Sequence, residues 1–174
     1  MGDIGNVCKM SVDGTDFRIR EPKPFSPKWY SEKFNGPSLR YEVGICLITG
    51  WIVWINGPFP CGEWPDIRIS RDSLIYMLRP NEKVLSDLGY PGQYHLQPEP
   101  GRRGTRLERR KALGRSRHEN INGYFKEFGC LQQRWRHQIG LHDKVFWSVA
   151  NLTQLKIRFE DRHWQVQYND QVDN

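Results

Sequence analysis

Apolar and polar residues alternate near the start of the chain. From Cys8 to Val12 every second residue is apolar, which is typical of a half-buried β-strand. Asp13 and Gly14 follow, so we expect the strand to end there and the acid to project from its end. Phe17 to Ile19 either extends this strand or pairs with it. An Asp-Gly pair is also ordinary turn chemistry, so a functional interpretation needs further acids at the same place.

Two β-rich runs follow a loop of prolines and aromatic residues. Tyr41–Ile48 and Trp51–Ile55 are joined by Thr49-Gly50, which predicts a tight antiparallel hairpin. The second run is apolar throughout, as expected for a strand covered on both faces. The predicted elements after this hairpin are a helix from Trp64 to Leu78, a strand from Lys83, an edge strand Tyr94–Gln97, helices Thr105–Phe128 and Asp143–Phe159, and a last strand Trp164–Tyr168.

The strand that begins at Lys83 also ends in an acid, Asp87, with Gly89 two residues later. A helix separates this strand from the first one, so the two are expected to lie parallel in one sheet with their ends facing the same way. Asp13 and Asp87 should therefore converge. Carboxylates on rigid strands suit a divalent cation with oxygen ligands.

Positive charge is concentrated in one strip of this +6 chain of 174 residues. Between residues 102 and 117 only Glu108 is acidic, which favours a polyanion, and nucleic acid in particular, over a solvated helix face with mixed signs. The basic residues of the strip are Arg102, Arg103, Arg106, Arg109, Arg110, Lys111, Arg115 and Arg117.

The composition argues against several other classes of protein. No run of eighteen apolar residues predicts a membrane span, and the first residues lack a signal-peptide pattern. The four cysteines form no Cys-x-x-Cys pair and the histidines are scattered, so neither zinc nor a disulfide framework is indicated. We expect an intracellular protein, nuclear in a eukaryote, with one domain at 8–168 between a disordered tail at 1–7 and a loose tail at 169–174.

The long predicted helix carries a third acid. Arg115, Glu119 and Lys126 are spaced by four and seven residues, which places them on one helix face. An ion pair between Arg115 and Glu119 within the helix is the simpler interpretation of the first two. Other acids remain open for each place in the site: Asp16 for Asp13, Asp66 for Asp87, and Glu127 for Glu119.

Four segments in order resemble the DDE superfamily of transposase nuclease domains, most closely the Harbinger-type group of eukaryotic elements and related bacterial insertion-sequence transposases. The segments are Val12–Thr15, similar to the first-acid strand; Gly57–Asp66, similar to the turn after the third strand; Val84–Tyr90, similar to the Asp-x-Gly-Tyr motif; and Arg115, Glu119 and Lys126, which match an Arg-x3-Glu-x6-Lys pattern. The similarity spans Lys9 to about Tyr168.

The resemblance implies an α/β, ribonuclease H-like fold, a mixed β-sheet flanked by helices. It implies a metal-dependent DNA endonuclease or transposase domain in which Asp13, Asp87 and Glu119 hold two Mg²⁺ or Mn²⁺ ions that clamp the oxygens of an in-line displacement at phosphorus. Arg115 and Lys126 would contact phosphates beside the acids. From the basic strip we expect Arg102, Arg103, Arg106, Arg109 and Arg110 to bind the phosphates of duplex DNA.

Two features depart from the family pattern. Ala112 stands where the signature has a tyrosine, and only about a dozen residues precede Asp13 where a helical DNA-binding region is expected. We therefore expect an isolated catalytic domain that takes DNA recognition from a separate partner protein or acts as a homodimer. The rival interpretations are a catalytically silent nucleic-acid-binding or scaffold protein, and a nonfunctional remnant of an element.

Overall fold

A mixed six-stranded sheet organises residues 8–96 and 106–159, the part of the chain that the computed structural model describes. Central strand β1 runs antiparallel to β3 and parallel to β5; β3 also pairs with β2 and β4, and β5 with β6. The strands are β1 (Cys8–Arg18), β2 (Tyr30–Ser31), β3 (Gly36–Cys46), β4 (Ile52–Pro60), β5 (Lys83–Leu85) and β6 (His95–Leu96). The expected α/β architecture with a mixed sheet is confirmed.

Helices cover both faces of the sheet. One face packs Phe17 and Tyr41 against Phe125 and Phe146, and the Tyr41 and Phe146 rings stack with their centroids 3.8 Å apart. The other face packs a smaller cluster around Val12. The helices are α1, built of Asp66–Ile69, a π-helical segment Ser70–Leu74 and Ile75–Met77, then α2 (Arg106–Glu127), α3 (Gly129–Gln132) and α4 (Ile139–Phe159), with a 3₁₀ turn at Pro27–Trp29. In these residues, no helix is long and apolar enough to cross a membrane.

The prediction that β1 ends at Asp13 is wrong. The strand continues to Arg18, because β3 runs beside it and the ladder extends from Met10 opposite Cys46 to Arg18 opposite Ser38. Gly14 is therefore not a turn residue. A Cβ atom at Gly14 would lie 1.9 Å from Oδ1 of Asp66, so the glycine is required by the close approach of that carboxylate.

The prediction that Trp51–Ile55 is covered on both faces holds only in part. Ile52 and Ile55 pack against the cluster on one face of the sheet and Trp54 against the cluster on the other, but Val53 is 54% exposed. Within the described ranges β4 pairs only with β3, and together with α4 it lines a groove of about 180 Å³. Helix α4 begins at Ile139, earlier than the predicted Asp143, and the predicted strand Trp164–Tyr168 lies outside the described residues.

Candidate active site

Asp13 and Asp87 converge as the crossover argument predicts. Strand β5 lies parallel to β1, with Ser11 opposite Leu85, so the chain beyond β5 brings Asp87 to the side of Asp13. Helix α2 lies over them. The three elements enclose an open pocket of about 50 Å³ lined by Ser11, Val12, Asp13, Leu85, Ser86, Asp87, Arg115, His118 and Glu119. All three acids that the family pattern selects thus line one pocket, and Arg115 lies beside them.

Asp13 is a buried acid among other acids. Burial raises its pKa to about 6, and the negative charges of Asp87 and Asp66 add to this rise. Lys33 and the backbone amide of Gly14 act in the opposite direction. The side-chain amide of Asn122 donates to Oδ2 of Asp13 across 3.5 Å. Because burial and the neighbouring acids together outweigh these contacts, ionised Asp13 favours an additional positive charge at this place.

Asp66 lies in the same acidic cluster, beside Asp87. It is the first residue of α1, and the N-cap position belongs to Pro65, so Asp66 does not cap the helix. Both carboxylates lie close to Gly89: a Cβ atom there would be 3.0 Å from Oδ1 of Asp87 and 3.5 Å from Oδ2 of Asp66. Burial raises the pKa of Asp66 to about 6 against the opposing charge of Arg40. Nη1 of Arg40 is 3.3 Å from Oδ1 of Asp66, an ion pair without hydrogen-bond geometry.

Asp16 has a different environment. Nε and Nη2 of Arg40 donate to its two carboxylate oxygens across 2.7 and 2.9 Å, and the Ser31 hydroxyl donates to Oδ2 across 2.7 Å. Although burial opposes the change, these contacts hold the pKa of Asp16 below its ordinary value. Asp16 is thus engaged by neighbouring side chains on the opposite face of β1, and the geometry makes it a structural residue.

The face of α2 that was selected from the sequence is turned towards the acids. Burial and the charge of Lys33 lower the pKa of Lys126. The charges of Asp16 and Asp13 act in the opposite direction, which shows that Lys126 lies near these acids. Arg115 and Glu119 are exposed, and no ion pair joins them within the described ranges. Glu127 points elsewhere, since its carboxylate binds Nζ of Lys156 on α4 across 2.6 Å.

The basic strip is only partly described. Arg102 and Arg103 lie outside the described residues, while Arg106, Arg109 and Arg110 belong to the first turns of α2. The end of the strip reaches the fold at Arg117, whose guanidinium donates to the backbone carbonyl of Leu47.

The acidic cluster meets part of what a divalent metal needs. Carboxylate oxygens are the ligands that Mg²⁺ prefers, and a cation would offset both the burial of ionised Asp13 and the negative charges of Asp87 and Asp66 beside it. However, no group of three or more His, Cys, Asp or Glu side chains in residues 8–96 and 106–159 is arranged to hold a metal ion. The acids therefore fit a divalent cation in kind, but their side chains have to close around it.

Three polar residues of the pocket were missed by sequence reasoning. Ser11 and Ser86 are almost fully buried, and so is His118, which is 4% exposed. Burial lowers the pKa of His118 to about 4, and a hydrogen bond with the backbone of Ser11 acts against this. Ser86 directly precedes Asp87, His118 directly precedes Glu119, and Ser11 is two residues before Asp13 on the same face of its strand. This closeness in sequence to the predicted acids is the signal that could have identified them.

Fold and site together define an α/β protein with a cluster of carboxylates at the centre of its sheet. No protein-family model matches the chain, and no curated protein and no solved structure matches it.

Proposed function

We propose that this chain is a metal-dependent DNA endonuclease or transposase catalytic domain of the DDE type, intracellular and nuclear in a eukaryote. The observation that carries the proposal is the pocket shared by Asp13, Asp87 and Glu119. These acids come from β1, from the chain after β5 and from α2, which are far apart in the sequence. The family pattern selects the same three residues without knowledge of the fold.

Each residue has a role in this proposal. Asp13, Asp87 and Glu119 would hold divalent metal ions, which supply Lewis-acid stabilisation of the charge on the phosphoryl oxygens. Glu119 is exposed, so its side chain has room to turn towards the two aspartates. Arg115 at the pocket and Lys126 further along α2 would contact the phosphates on either side of the one that is cleaved.

A catalytically silent nucleic-acid-binding protein is the second candidate. It is favoured by the finding that the described acids are not arranged as a ligand set. The two candidates share the basic strip and differ in whether the acids carry chemistry. A plasmid-nicking assay with Mg²⁺ or Mn²⁺, with a chelated sample as reference, separates them, because a silent protein binds DNA without nicking it.

Glu119→Gln tests the third acid. The substitution keeps the size of the side chain and removes one charge from the pocket, so nicking should fall roughly 100-fold or more, which corresponds to the several kcal/mol that metal-ion catalysis supplies. DNA binding should be unchanged or slightly tighter, because one phosphate-repelling charge is gone. Nicking rate, DNA affinity and melting temperature are measured together.

Glu127→Gln is the matched control on the same helix. Glu127 binds Lys156 and is 54% exposed, so its loss should cost no more than about 1 kcal/mol and leave nicking intact. A Glu119→Gln variant that nicks at the wild-type rate would show that the third carboxylate is assigned wrongly. A folded wild-type sample that binds DNA but never nicks it would leave the silent binding protein as the function.

A further inference from the structure

The outer edge of the sheet at β4 is open. Within the described ranges β4 pairs only with β3, so the backbone groups on its other side have no strand beside them. The second half of β4 contains Pro58 and Pro60, which lack a backbone N–H and therefore discourage further pairing. The first half, Ile52–Ile55, has neither a proline nor a charge. An apolar and uncharged edge of this kind is a template for another strand.

The groove between β4 and α4 follows this open edge. Its volume is about 180 Å³, and it is formed by Ile52–Ile55 on one wall and by one face of α4 on the other. Two large apolar side chains of the groove are only partly covered, since Val53 is 54% exposed and Trp147 is 43% exposed. Apolar side chains that are exposed together along a groove mark a surface that another segment covers.

Helix α4 ends beside the start of β4. Oε1 of Gln154 accepts a hydrogen bond from the backbone N–H of Ile52 across 2.8 Å, so a side chain of α4 already serves as the partner of one edge amide. In the next turn of the helix, Cζ of Arg158 is 5.9 Å from the centre of the Trp51 ring. The chain therefore leaves α4, at Phe159, near the end of the groove where β4 begins.

The sequence that follows α4 has a pattern that fits this groove. Trp164–Tyr168 alternates apolar and polar residues, so a strand there has three apolar side chains on one face and two glutamines on the other. Phe159 lies about 7.5 Å along the helix axis beyond Gln154. Residues 160–163 span up to about 13 Å when extended. The connection is therefore long enough for the segment to turn back and run along β4 in the same direction.

We propose that Trp164–Tyr168 docks in this groove as a further strand, paired in parallel with Ile52–Ile55 at the edge of the sheet. Main-chain hydrogen bonds would attach the segment to the edge, and its three apolar side chains would be buried against α4, where they cover Trp147. The chain then covers its own apolar edge and leaves no place there for a second copy. The inference is independent of the proposed endonuclease, because β3 separates β4 from the strand that carries Asp13.

Hydrogen exchange of the full chain, followed by NMR, tests the docking. In the wild type, the amides of Ile52–Ile55 that β3 does not engage should be protected from exchange by the added strand. Val166→Pro removes a backbone N–H from the middle of the segment, so those amides should exchange about 10-fold faster or more. The amides of β1 should keep their wild-type rates, because the substitution leaves the rest of the sheet intact. Val172→Pro is the matched control, since it makes the same change beyond the predicted strand and should exchange like wild type.

Three outcomes would overturn the proposal. Rapid exchange of the edge amides in the wild type would show that the groove is empty, whether or not Val166→Pro folds. Slow exchange that Val166→Pro leaves unchanged would show that a different part of the chain covers the edge. Slow exchange that is lost on dilution, together with a dimer in analytical ultracentrifugation, would make a second copy the occupant. None of these measurements depends on nicking, so the docking and the endonuclease can fail separately.

Discussion

Two buried carboxylates on opposite faces of β1 have pKa values shifted in opposite directions. Asp16 on one face accepts three hydrogen bonds from Arg40 and Ser31 at 2.7 to 2.9 Å, and its pKa is lowered. Asp13 on the other face has Asn122 at 3.5 Å and like charges around it, and its pKa is raised to about 6. Burial raises the pKa of both acids, so the opposite directions of their shifts come from the groups that surround them.

The cross-strand neighbour explains the difference. In the antiparallel ladder with β3, Asp16 lies opposite Arg40, whereas Asp13 lies opposite Val43. The two acids are an odd number of residues apart, so an unbroken strand presents them to different layers of the fold. Asp16 meets a cation from the adjacent strand. Asp13 faces α2 and Asp87, where a positive charge has to come from outside the cluster of acids.

The largest effect on stability is expected for Asp16→Asn. The substitution leaves the half-buried Arg40 without its main counter-charge, and the free energy of unfolding should fall by about 3–5 kcal/mol at pH 7. Because the folded pKa of Asp16 lies below its ordinary 3.8, its contribution is present above that pH and is lost as the pH falls further. Urea denaturation at pH 7 measures the change.

Adding Arg40→Met to Asp16→Asn is the control for this interpretation. The double variant should lose less stability than the sum of the two single variants, because each single one strands a buried partner. A cost below about 1 kcal/mol for Asp16→Asn alone would mean that the ion pair contributes like an exposed one. The contrast between the two faces of β1 would then lose its physical basis.

The proximity of the three acids could be predicted from the sequence, whereas their surroundings could not. Asp13, Asp87 and Glu119 follow from spacing, from the crossover rule and from the family pattern, and the fold places them around one pocket. The continuation of β1 past Gly14 was not predicted, because Asp-Gly indicates a turn unless a neighbouring strand pairs with it. Arg40 and Ser86 were missed for a related reason: their roles depend on register and burial, which local pattern does not reveal.

A smaller effect is expected for Gly14→Ala, which tests the closeness of Asp66 to β1. The new methyl group would lie 1.9 Å from Oδ1 of Asp66, so the carboxylate has to move away from Arg40 and from the acidic cluster. Since the displaced atom is the end of a side chain, the cost should be near the low end of overpacking, about 1–2 kcal/mol. Urea denaturation of the variant measures it.

Gly36→Ala provides the matched glycine. A Cβ atom there meets nothing closer than a backbone oxygen at 3.8 Å, so this substitution in β3 should change stability by less than about 0.5 kcal/mol. If Gly14→Ala proves equally neutral, Asp66 does not lie against β1 in solution. The acidic cluster would then contain Asp13 and Asp87 without it.

The smallest effect, and the one of opposite sign, is expected for Asp13→Asn. The folded pKa of about 6 lies above the ordinary 3.8, so between these values the native state binds more protons than the unfolded chain. The contribution of Asp13 to the free energy of unfolding is therefore greatest at low pH and is lost as the pH rises through about 6. Asn cannot ionise, so the variant should be more stable than wild type at pH 7, by about 1 kcal/mol once partial exposure is allowed for.

Urea denaturation of wild type and Asp13→Asn at pH 4.5 and pH 7 measures this difference. Asp66, with a pKa of about 6, and the buried Glu42, with a pKa of about 8, remain in both proteins. The free energy of unfolding should therefore still fall with rising pH in the variant, and only the contribution of Asp13 to this fall disappears. The groups that act on Asp13 are Asp87 and Asp66, which raise its pKa, and Lys33 with the Gly14 amide, which lower it. A variant that is less stable than wild type at pH 7 and equal to it at pH 4.5 would show that ionised Asp13 already has a cationic partner. The two faces of β1 would then be alike.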